Sequence, residues 1–434
     1  MGGRILERKL VLNSSTVSKL LYYQVIYIFA LRFCVDVLHF PSAISYGVDV
    51  INMLVTAFFL YSKSTKKKLF MAGMMPVIFA VIALIVFCFV DGITNMVKPQ
   101  LFLWAFRNTM RYYPFFFSLV ALWDEKMMDF VVKILLRLQY INFLIVLFQF
   151  FVLGYEQDYV GGIFGHTTGC NGALNIYLCI ITALCIEKYI HKELGLFSTL
   201  STVVIFLVSI VIAELKIGFI ELPIILALAI LLNKPSFKTV VATLVVLFMI
   251  PIGIQGMITL YPRWAYSFVD VGSFLGVGTE VGGGYNISRL GAFSDINGIF
   301  FHDDLIRNLF GFGFGNCEYS SIDIFTSSFN KRYGWLHYRW FAHQMWFLEC
   351  GYLGIFFYAL FFVSLFVWLA HQKRQFGDQG GFGSFGQIMI VICALSFIYN
   401  FTLRTEDGYM LYLALAIPCL NYRCVMEKVK KTNE

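Results

Sequence analysis

Three ionisable residues of this chain stand where an apolar surrounding makes a charge costly. His343 and Glu349 lie at the front of FAHQMWFLECGYLGIF, which continues as YALFFVSLFVWLA and is apolar enough to cross a bilayer. Lys216 lies in IVIAELKIGFIELPIILALAILL, between two apolar stretches. Ionisable groups inside membrane segments are rare and mark ion pairs or functional sites, so these residues are the first candidates for chemistry.

His343 has the side chain best suited to accept a proton. It is expected to begin a membrane helix, where the positive end of the helix dipole disfavours an imidazolium and leaves a neutral base. At about 100° per residue, Cys350 and Gly354 fall within about 20° of His343, whereas Glu349 is turned about 120° away. We predict that small residues on this face (Cys350, Gly351, Gly354) admit a helix or a lipid chain, and that Glu349 has a packing or hydrogen-bonding role. A histidine that only anchors the helix at the interface is the alternative.

Lys216 and Arg289 are candidates for holding an anionic group. A single helix over 197–232 would be about 54 Å long, too long for a bilayer, so the chain is expected to turn back at Glu214-Leu215-Lys216. That turn would place Lys216 at the mouth of a cavity, with pairing to Glu214 or Glu221 as the structural alternative. Arg289, in YNISRLGAF, is expected at the start of a helix in a long loop, where a merely solvated arginine is the alternative.

Arg107 and Arg111, in FRNTMRYYPFF, lie four residues apart and therefore on one face of a predicted membrane helix. Two guanidinium groups at this spacing repel each other unless an anion or a carboxylate lies between them. They form a secondary candidate for anion binding, and a structural role is an equal alternative.

No metal or cofactor site is expected. Phe301-His302-Asp303-Asp304 contains metal-ligating residue types, but adjacent carboxylates point to different sides of a helix and no second cluster completes a coordination sphere. The glycine-rich stretch GFGFG at 311–315 lacks the preceding strand of a dinucleotide site and is expected to be a tight turn.

The elements that must position these residues are membrane helices. The 434 residues are 59% hydrophobic and 14% charged with a mean hydropathy of +0.75, which excludes a soluble domain. The net charge of +7 does not indicate binding to nucleic acid, because the basic residues are concentrated in loops between the apolar runs. Runs long enough to cross about 30 Å of hydrocarbon number about twelve. They lie near 20–36, 43–61, 69–90, 101–122, 135–153, 169–187, 197–213, 217–232, 239–260, 343–370, 385–402 and 408–424.

The distribution of lysine and arginine predicts the orientation. Alternate loops are basic, among them KSTKKK and the tail RCVMEKVKKTNE, which favours cytoplasmic positions for both termini. The fold class predicted is an all-α polytopic membrane protein with about twelve transmembrane helices and a large, partly helical extracytoplasmic loop. Residues 1–261 would contain helices one to nine, 262–340 the extracytoplasmic cap loop, and 341–434 helices ten to twelve with a cytoplasmic tail.

Several short motifs, taken together with their order along the chain, resemble the O-antigen polymerase and O-antigen ligase superfamily of membrane glycosyltransferases. His343-Gln344, followed by Glu349, Gly351 and Gly354, is similar to the family's pattern of a histidine, an amide, an acid and two glycines. LFGFG at 309–313 resembles its phenylalanine-glycine-x-glycine turn, and Arg289 lies where a loop arginine is expected. Glu214-Leu215-Lys216 matches the position of a Ser-Arg-Gly type motif in ligases. Because glutamate and lysine replace its serine and arginine, the polymerase branch is preferred.

The resemblance implies a GT-C-like, metal-independent glycosyltransferase of the hexosyltransferase class. It would use polyprenyl (undecaprenyl) diphosphate-linked oligosaccharides as donor and acceptor in capsule or lipopolysaccharide synthesis. The expected location is the bacterial cytoplasmic (inner) membrane, with the active site at the extracytoplasmic face. A flippase and a chain-length regulator are expected partners, and no cofactor or nucleic acid is implied.

The family's chemistry implies a role for each candidate residue. His343 would be the base, while Arg289 and Lys216 would stabilise the diphosphate leaving group. Weaker diphosphate contacts are expected from Gln344, Arg107 and Arg111, and supporting roles from Glu214, Glu349, Gly351 and Gly354. Two alternatives remain. One is a ligase that transfers the glycan to a lipid A core or a protein. The other is a flippase or transporter of lipid-linked oligosaccharides, which predicts inverted repeats and little need for a large cap.

Overall fold

The computed structural model describes residues 14–234, 236–264 and 286–433. The first basic segment of the chain and residues 265–285 of the predicted cap loop lie outside the described residues. All regular secondary structure in the described residues is helical.

The first eleven helices precede the cap loop. They are α1 (Ser14–Arg32), α2 (Tyr46–Tyr61), α3 (Lys63–Met71), α4 (Met75–Thr94), α5 (Pro99–Met110), α6 (Tyr112–Leu122), α7 (Glu125–Phe151), α8 (Asn171–Ile190), α9 (Leu196–Ile212), α10 (Gly218–Leu232) and α11 (Phe237–Leu260). The described part of the cap loop contains three short helices: α12 (Ala292–Ile296), α13 (Leu305–Phe310) and α14 (Ser328–Tyr333). Three long helices follow: α15 (Ala342–Phe376), α16 (Phe382–Tyr399) and α17 (Gly408–Asn433).

Nine helical segments in the described part of the chain are long and apolar enough to cross a membrane, so this is a multi-pass membrane protein. The all-helical prediction is confirmed for these residues. Helices α9 and α10 are equally apolar but shorter, and the predicted span at 101–122 is divided between α5 and α6. Within the bundle, α8, α16 and α17 are largely buried, whereas α2 and α11 lie at the periphery.

The chain reverses direction between α9 and α10, where the lengths of the two apolar runs predicted a turn. α9 ends at Ile212, α10 begins at Gly218, and Glu214 adopts a left-handed backbone conformation with φ +55°. The turn therefore places Lys216 at the end of the helical hairpin.

Helix α15 is not continuous, in contrast to the prediction from helical phase. Gly351 has φ 57° and ψ −158°, which interrupts the helix eight residues after His343. A Cβ atom on Gly351 would lie 2.4 Å from the main-chain carbon of Leu309, so only glycine fits here. The phase argument that placed Gly354 on the face of His343 is therefore wrong, because it assumed an unbroken helix.

The glycine-rich turn of the cap loop packs into this interruption. The amide nitrogens of Phe312 and Gly313 donate to the carbonyl oxygens of Leu348, at 2.9 Å, and Glu349, at 2.8 Å. These carbonyls precede the break, so the turn supplies donors to groups that lack an intrahelical partner. The predicted tight turn over 311–315 is thus a structural element that joins the cap loop to α15.

Candidate functional site

His343 and Arg289 lie in direct contact. The Nε2 atom of His343 is 2.8 Å from the main-chain carbonyl oxygen of Arg289, and its Nδ1 atom is 3.3 Å from the carbonyl oxygen of Phe397. Both ring nitrogens therefore face acceptors. A neutral imidazole donates from one nitrogen only, and the shorter contact assigns the proton to Nε2. The histidine thus tethers the backbone of Arg289 to α15.

The guanidinium group of Arg289 is held by aromatic rings instead of a carboxylate. Its central carbon lies 4.4 Å from the ring centroid of Phe341 and 4.0 Å from that of Tyr399, the geometry of cation–π contacts. In the part of the chain that the structure describes, no carboxylate lies within ion-pair distance, and the buried Nε atom has no hydrogen-bond partner. Burial lowers the pKa of Arg289. A desolvated cation with an unused donor is a favourable place for an anion.

Lys216 lies close enough to Arg289 to be affected by its charge. The Nζ atom of Lys216 is 3.8 Å from Glu214 Oε1, and a guanidinium nitrogen of Arg263 is 3.4 Å from Glu214 Oε2. Burial lowers the pKa of Lys216 to about 8; the Glu214 carboxylate opposes this effect, and the charges of Arg263 and Arg289 add to it. The predicted Lys216–Glu214 pair is therefore present, and Arg263, which was not among the predicted residues, belongs to the same cluster.

An apolar cavity of about 570 Å³ extends from Arg289 and His343 between α15 and α16. Arg289 and His343 lie at its one polar end, and aromatic and aliphatic side chains form the rest. The lining residues are Arg289, Leu290, Phe293, His343, Ile355, Tyr358, Ala359, Phe362, Val363, Phe366, Val367, Ile390, Cys393, Ala394, Phe397 and Ile398. We call this cavity the lipid groove. The small residues predicted to admit a helix or a lipid chain, Cys350, Gly351 and Gly354, are not part of its lining. Gly354 faces Phe87 of α4 instead, so at this position the neighbour is a helix.

Gln344 binds the segment that leads into Arg289. Its Nε2 atom donates to the carbonyl oxygens of Ile287, at 3.2 Å, and Ser288, at 3.1 Å, and its side chain is fully buried. Its amide therefore positions the Arg289 backbone, as His343 does.

Glu349 does not contact His343 and belongs to a separate buried network. Its Oε2 atom is 3.1 Å from Arg404 Nη1, and its Oε1 atom accepts a hydrogen bond from the Cys317 amide at 3.1 Å. Arg404 also forms an ion pair with Glu318. All three charged side chains are buried, so the network ties the cap loop to α15 and to the loop before α17. Arg404 and Glu318 were not among the predicted site residues, and an arginine between two apolar runs, in NFTLRTEDG, is the sequence feature that could have indicated this network.

Arg107 and Arg111 are neutralised by carboxylates. Arg111 Nη1 lies 2.9 Å from Glu406 Oε1 and 3.6 Å from Asp49 Oδ1. Arg107 pairs with the same two residues, at 3.5 Å from Glu406. This is the structural alternative considered for the pair. The described residues give no contact between these arginines and the cluster of Arg289, Lys216 and His343.

The described part of the chain contains no group of three or more side chains arranged to hold a metal ion. The His302 region forms local contacts instead: Asp303 accepts from Asn297, and Asp304 caps α13 through the amide of Ile306.

No family model matches the chain, and no curated protein matches it. The basis for a function is therefore the pair of Arg289 and His343 at the polar end of the lipid groove, with Lys216 near enough to Arg289 for its charge to be felt.

Proposed function

We propose that this protein is a polysaccharide repeat-unit polymerase. It would transfer a glycan from a polyprenyl diphosphate donor to the terminal sugar of a second lipid-linked repeat unit. The observation that carries the proposal is Arg289, a guanidinium without a carboxylate partner in the described residues, at the polar end of an apolar groove. An amphiphile with an anionic head and a long hydrocarbon tail matches both parts of this site.

The cations would act mainly on the leaving group. As the bond from C1 of the sugar to the diphosphate oxygen breaks, negative charge grows on the diphosphate, and fixed cations stabilise that charge more than the bound donor. Arg289 would hold one phosphate through its planar fork, while Lys216 would act as a point charge at the other. No metal ion has a part in this scheme.

His343 would accept the proton of the acceptor hydroxyl as that oxygen forms its bond to C1. Both ring nitrogens face main-chain carbonyl oxygens, so one of these contacts must open before the imidazole can act as a base. We infer that the donor diphosphate draws the Arg289 segment away from His343. The ring proton would then lie on Nδ1, which donates it to the Phe397 carbonyl oxygen, and the lone pair of Nε2 would become free to accept the acceptor proton. Donor binding would in this way prepare the base.

The membrane arrangement that we propose has about twelve spans, both termini in the cytoplasm and the site at the extracytoplasmic face of a bacterial cytoplasmic membrane. Helices α9 and α10, together with the divided segment α5–α6, are the candidates for the three spans beyond the nine long ones. The concentration of lysine and arginine in alternate loops, among them KSTKKK, supports this orientation.

The test is a transfer assay with purified protein and a synthetic polyprenyl diphosphate oligosaccharide. The wild type should produce a ladder of longer lipid-linked products. Arg289→Ala should lower the rate by at least about a hundredfold, the usual loss when one charge-stabilising donor is removed. Arg332→Ala is the matched control, because Arg332 is an exposed arginine of the same cap loop and should leave the ladder intact.

The assay also separates the alternatives. Transfer only to a lipid A core or a protein would identify a ligase that uses the same chemistry. Movement of the oligosaccharide across proteoliposome membranes without formation of a bond would identify a transporter. A wild-type ladder that Arg289→Ala leaves unchanged would contradict the assigned role of Arg289.

A further inference from the structure

Helix α3 is a short, lysine-rich helix between two membrane helices, α2 and α4. Its N-terminus is capped by Ser62, whose Oγ atom accepts a hydrogen bond from the Thr65 amide at 3.3 Å. Thr65 and Leu69 are buried, and the helix packs against α6 and α17. One face is thereby fixed to the protein and the other remains available.

The available face combines positive charge with an apolar cavity. Lys63, Lys66 and Lys67 follow one another at helical spacing, and all three are exposed. They line a cavity of about 510 Å³ whose other walls are apolar. Those walls include Phe59 and Phe117. No acidic residue lines this cavity, and none of the three lysines forms an ion pair with another described residue.

A neighbouring cavity on the other side of α3 is also lined by basic residues, but it includes an acidic residue as well. It is lined by Lys68, Arg423 and Lys430, but also by Glu427, which forms an ion pair with Arg423 at 3.0 Å. In that cavity the positive charge of Arg423 is thus neutralised by the carboxylate of Glu427. The cavity of Lys63, Lys66 and Lys67 has no such compensation among its lining residues.

We propose that the cavity of Lys63, Lys66 and Lys67 binds one anionic phospholipid. The lysines would contact the headgroup phosphate, and an acyl chain would lie along Phe59, Phe117 and Ile78. The apolar walls and the position between α2 and α4 favour a lipid over free phosphate. This site is separate from the lipid groove and does not depend on the proposed transfer reaction.

The test is native mass spectrometry of the delipidated full-length protein with phosphatidylglycerol or phosphatidylcholine added. The wild type should bind phosphatidylglycerol roughly tenfold more tightly, as expected for several lysines at one headgroup. The triple variant K63Q/K66Q/K67Q should lose this preference. K63R/K66R/K67R should retain it, because the charge is kept.

The control is K126Q/K133Q/K238Q, which removes the same charge at lysines that line neither cavity. It should keep the preference. The idea is overturned if the K63Q/K66Q/K67Q variant still prefers phosphatidylglycerol, if the control loses the preference equally, or if millimolar inorganic phosphate displaces the lipid. The single variants Lys66→Gln and Lys67→Gln, each of an exposed side chain, should weaken the preference even if the triple variant does not fold.

Discussion

His343 Nε2 lies 2.8 Å from the main-chain carbonyl oxygen of Arg289, so one ring on α15 fixes the backbone of the arginine that faces the lipid groove. If His343 also takes the acceptor proton, then His343→Ala and His343→Gln should both lower kcat by about 10² to 10⁴, the usual contribution of a general base. A glutamine amide can still donate to the Arg289 carbonyl. Activity of His343→Gln close to wild type, measured in the transfer assay, would therefore assign the histidine to positioning alone.

Lys216 gives the reaction a defined pH dependence. Burial lowers the pKa of Lys216 to about 8, so the ammonium is charged below this pH and becomes neutral above it. Transfer that requires its charge should fall as the pH rises from 7 to 9. Lys216→Arg keeps the charge throughout this range and should remove the alkaline fall. The check is the pH profile of kcat/KM for both proteins, and identical profiles would show that Lys216 does not titrate in the reaction.

Bulky residues in the lipid groove should weaken donor binding. Ala359 and Ala394 both line the groove, and tryptophan at either position would displace part of the hydrocarbon chain. Loss of two or three buried methylenes at about 0.8 kcal/mol each should raise KM roughly ten- to fiftyfold with little change in kcat. Ala57→Trp, on an exposed surface of α2, is the matched control. A donor with a shortened prenyl chain should be insensitive to all three changes, and an equal loss with both donors would argue against the groove.

Gly351 should be required for full stability of the fold. A Cβ atom there would clash with the Leu309 backbone at 2.4 Å, and φ is 57°. Gly351→Ala should therefore destabilise the protein by about 3 kcal/mol. Gly172→Ala, in the first turn of α8 where a Cβ meets nothing within 4 Å, should be neutral or slightly stabilising. Thermal unfolding in one detergent compares the two variants, and equal midpoints would contradict the packing at Gly351.

The helices were largely predictable because membrane spans follow from local composition. The turn at Glu214–Lys216 also followed from length alone, since two short runs cannot form one span. The break at Gly351 could not be predicted. A positive φ at one glycine does not change the periodicity of apolar residues in the sequence. The angular positions calculated for a continuous helix are therefore correct for Glu349, which precedes the break, and wrong for Gly354, which follows it.

The site was predictable as a set of residue types but not as a set of contacts. Arg107 and Arg111 suggested that a counter-charge lies between them, yet Asp49 and Glu406 are distant in the sequence and belong to other elements. Gln344 resembled a ligand-binding amide, whereas its partners are main-chain carbonyls of the cap loop. Long-range pairing of this kind is set by tertiary packing.

The shortness of α9 and α10 has a consequence for the surrounding membrane. Their 17 and 15 residues, at about 1.5 Å each, reach only about 22 to 26 Å, less than the hydrocarbon thickness of about 30 Å. If this hairpin crosses the membrane, as proposed, the bilayer around it must thin, and lipid headgroups would then lie near the depth of Lys216. Transfer activity should therefore depend on the acyl-chain length of the host lipids, with a decline in thicker bilayers. Reconstitution in phosphatidylcholines of increasing chain length would measure this hydrophobic mismatch directly.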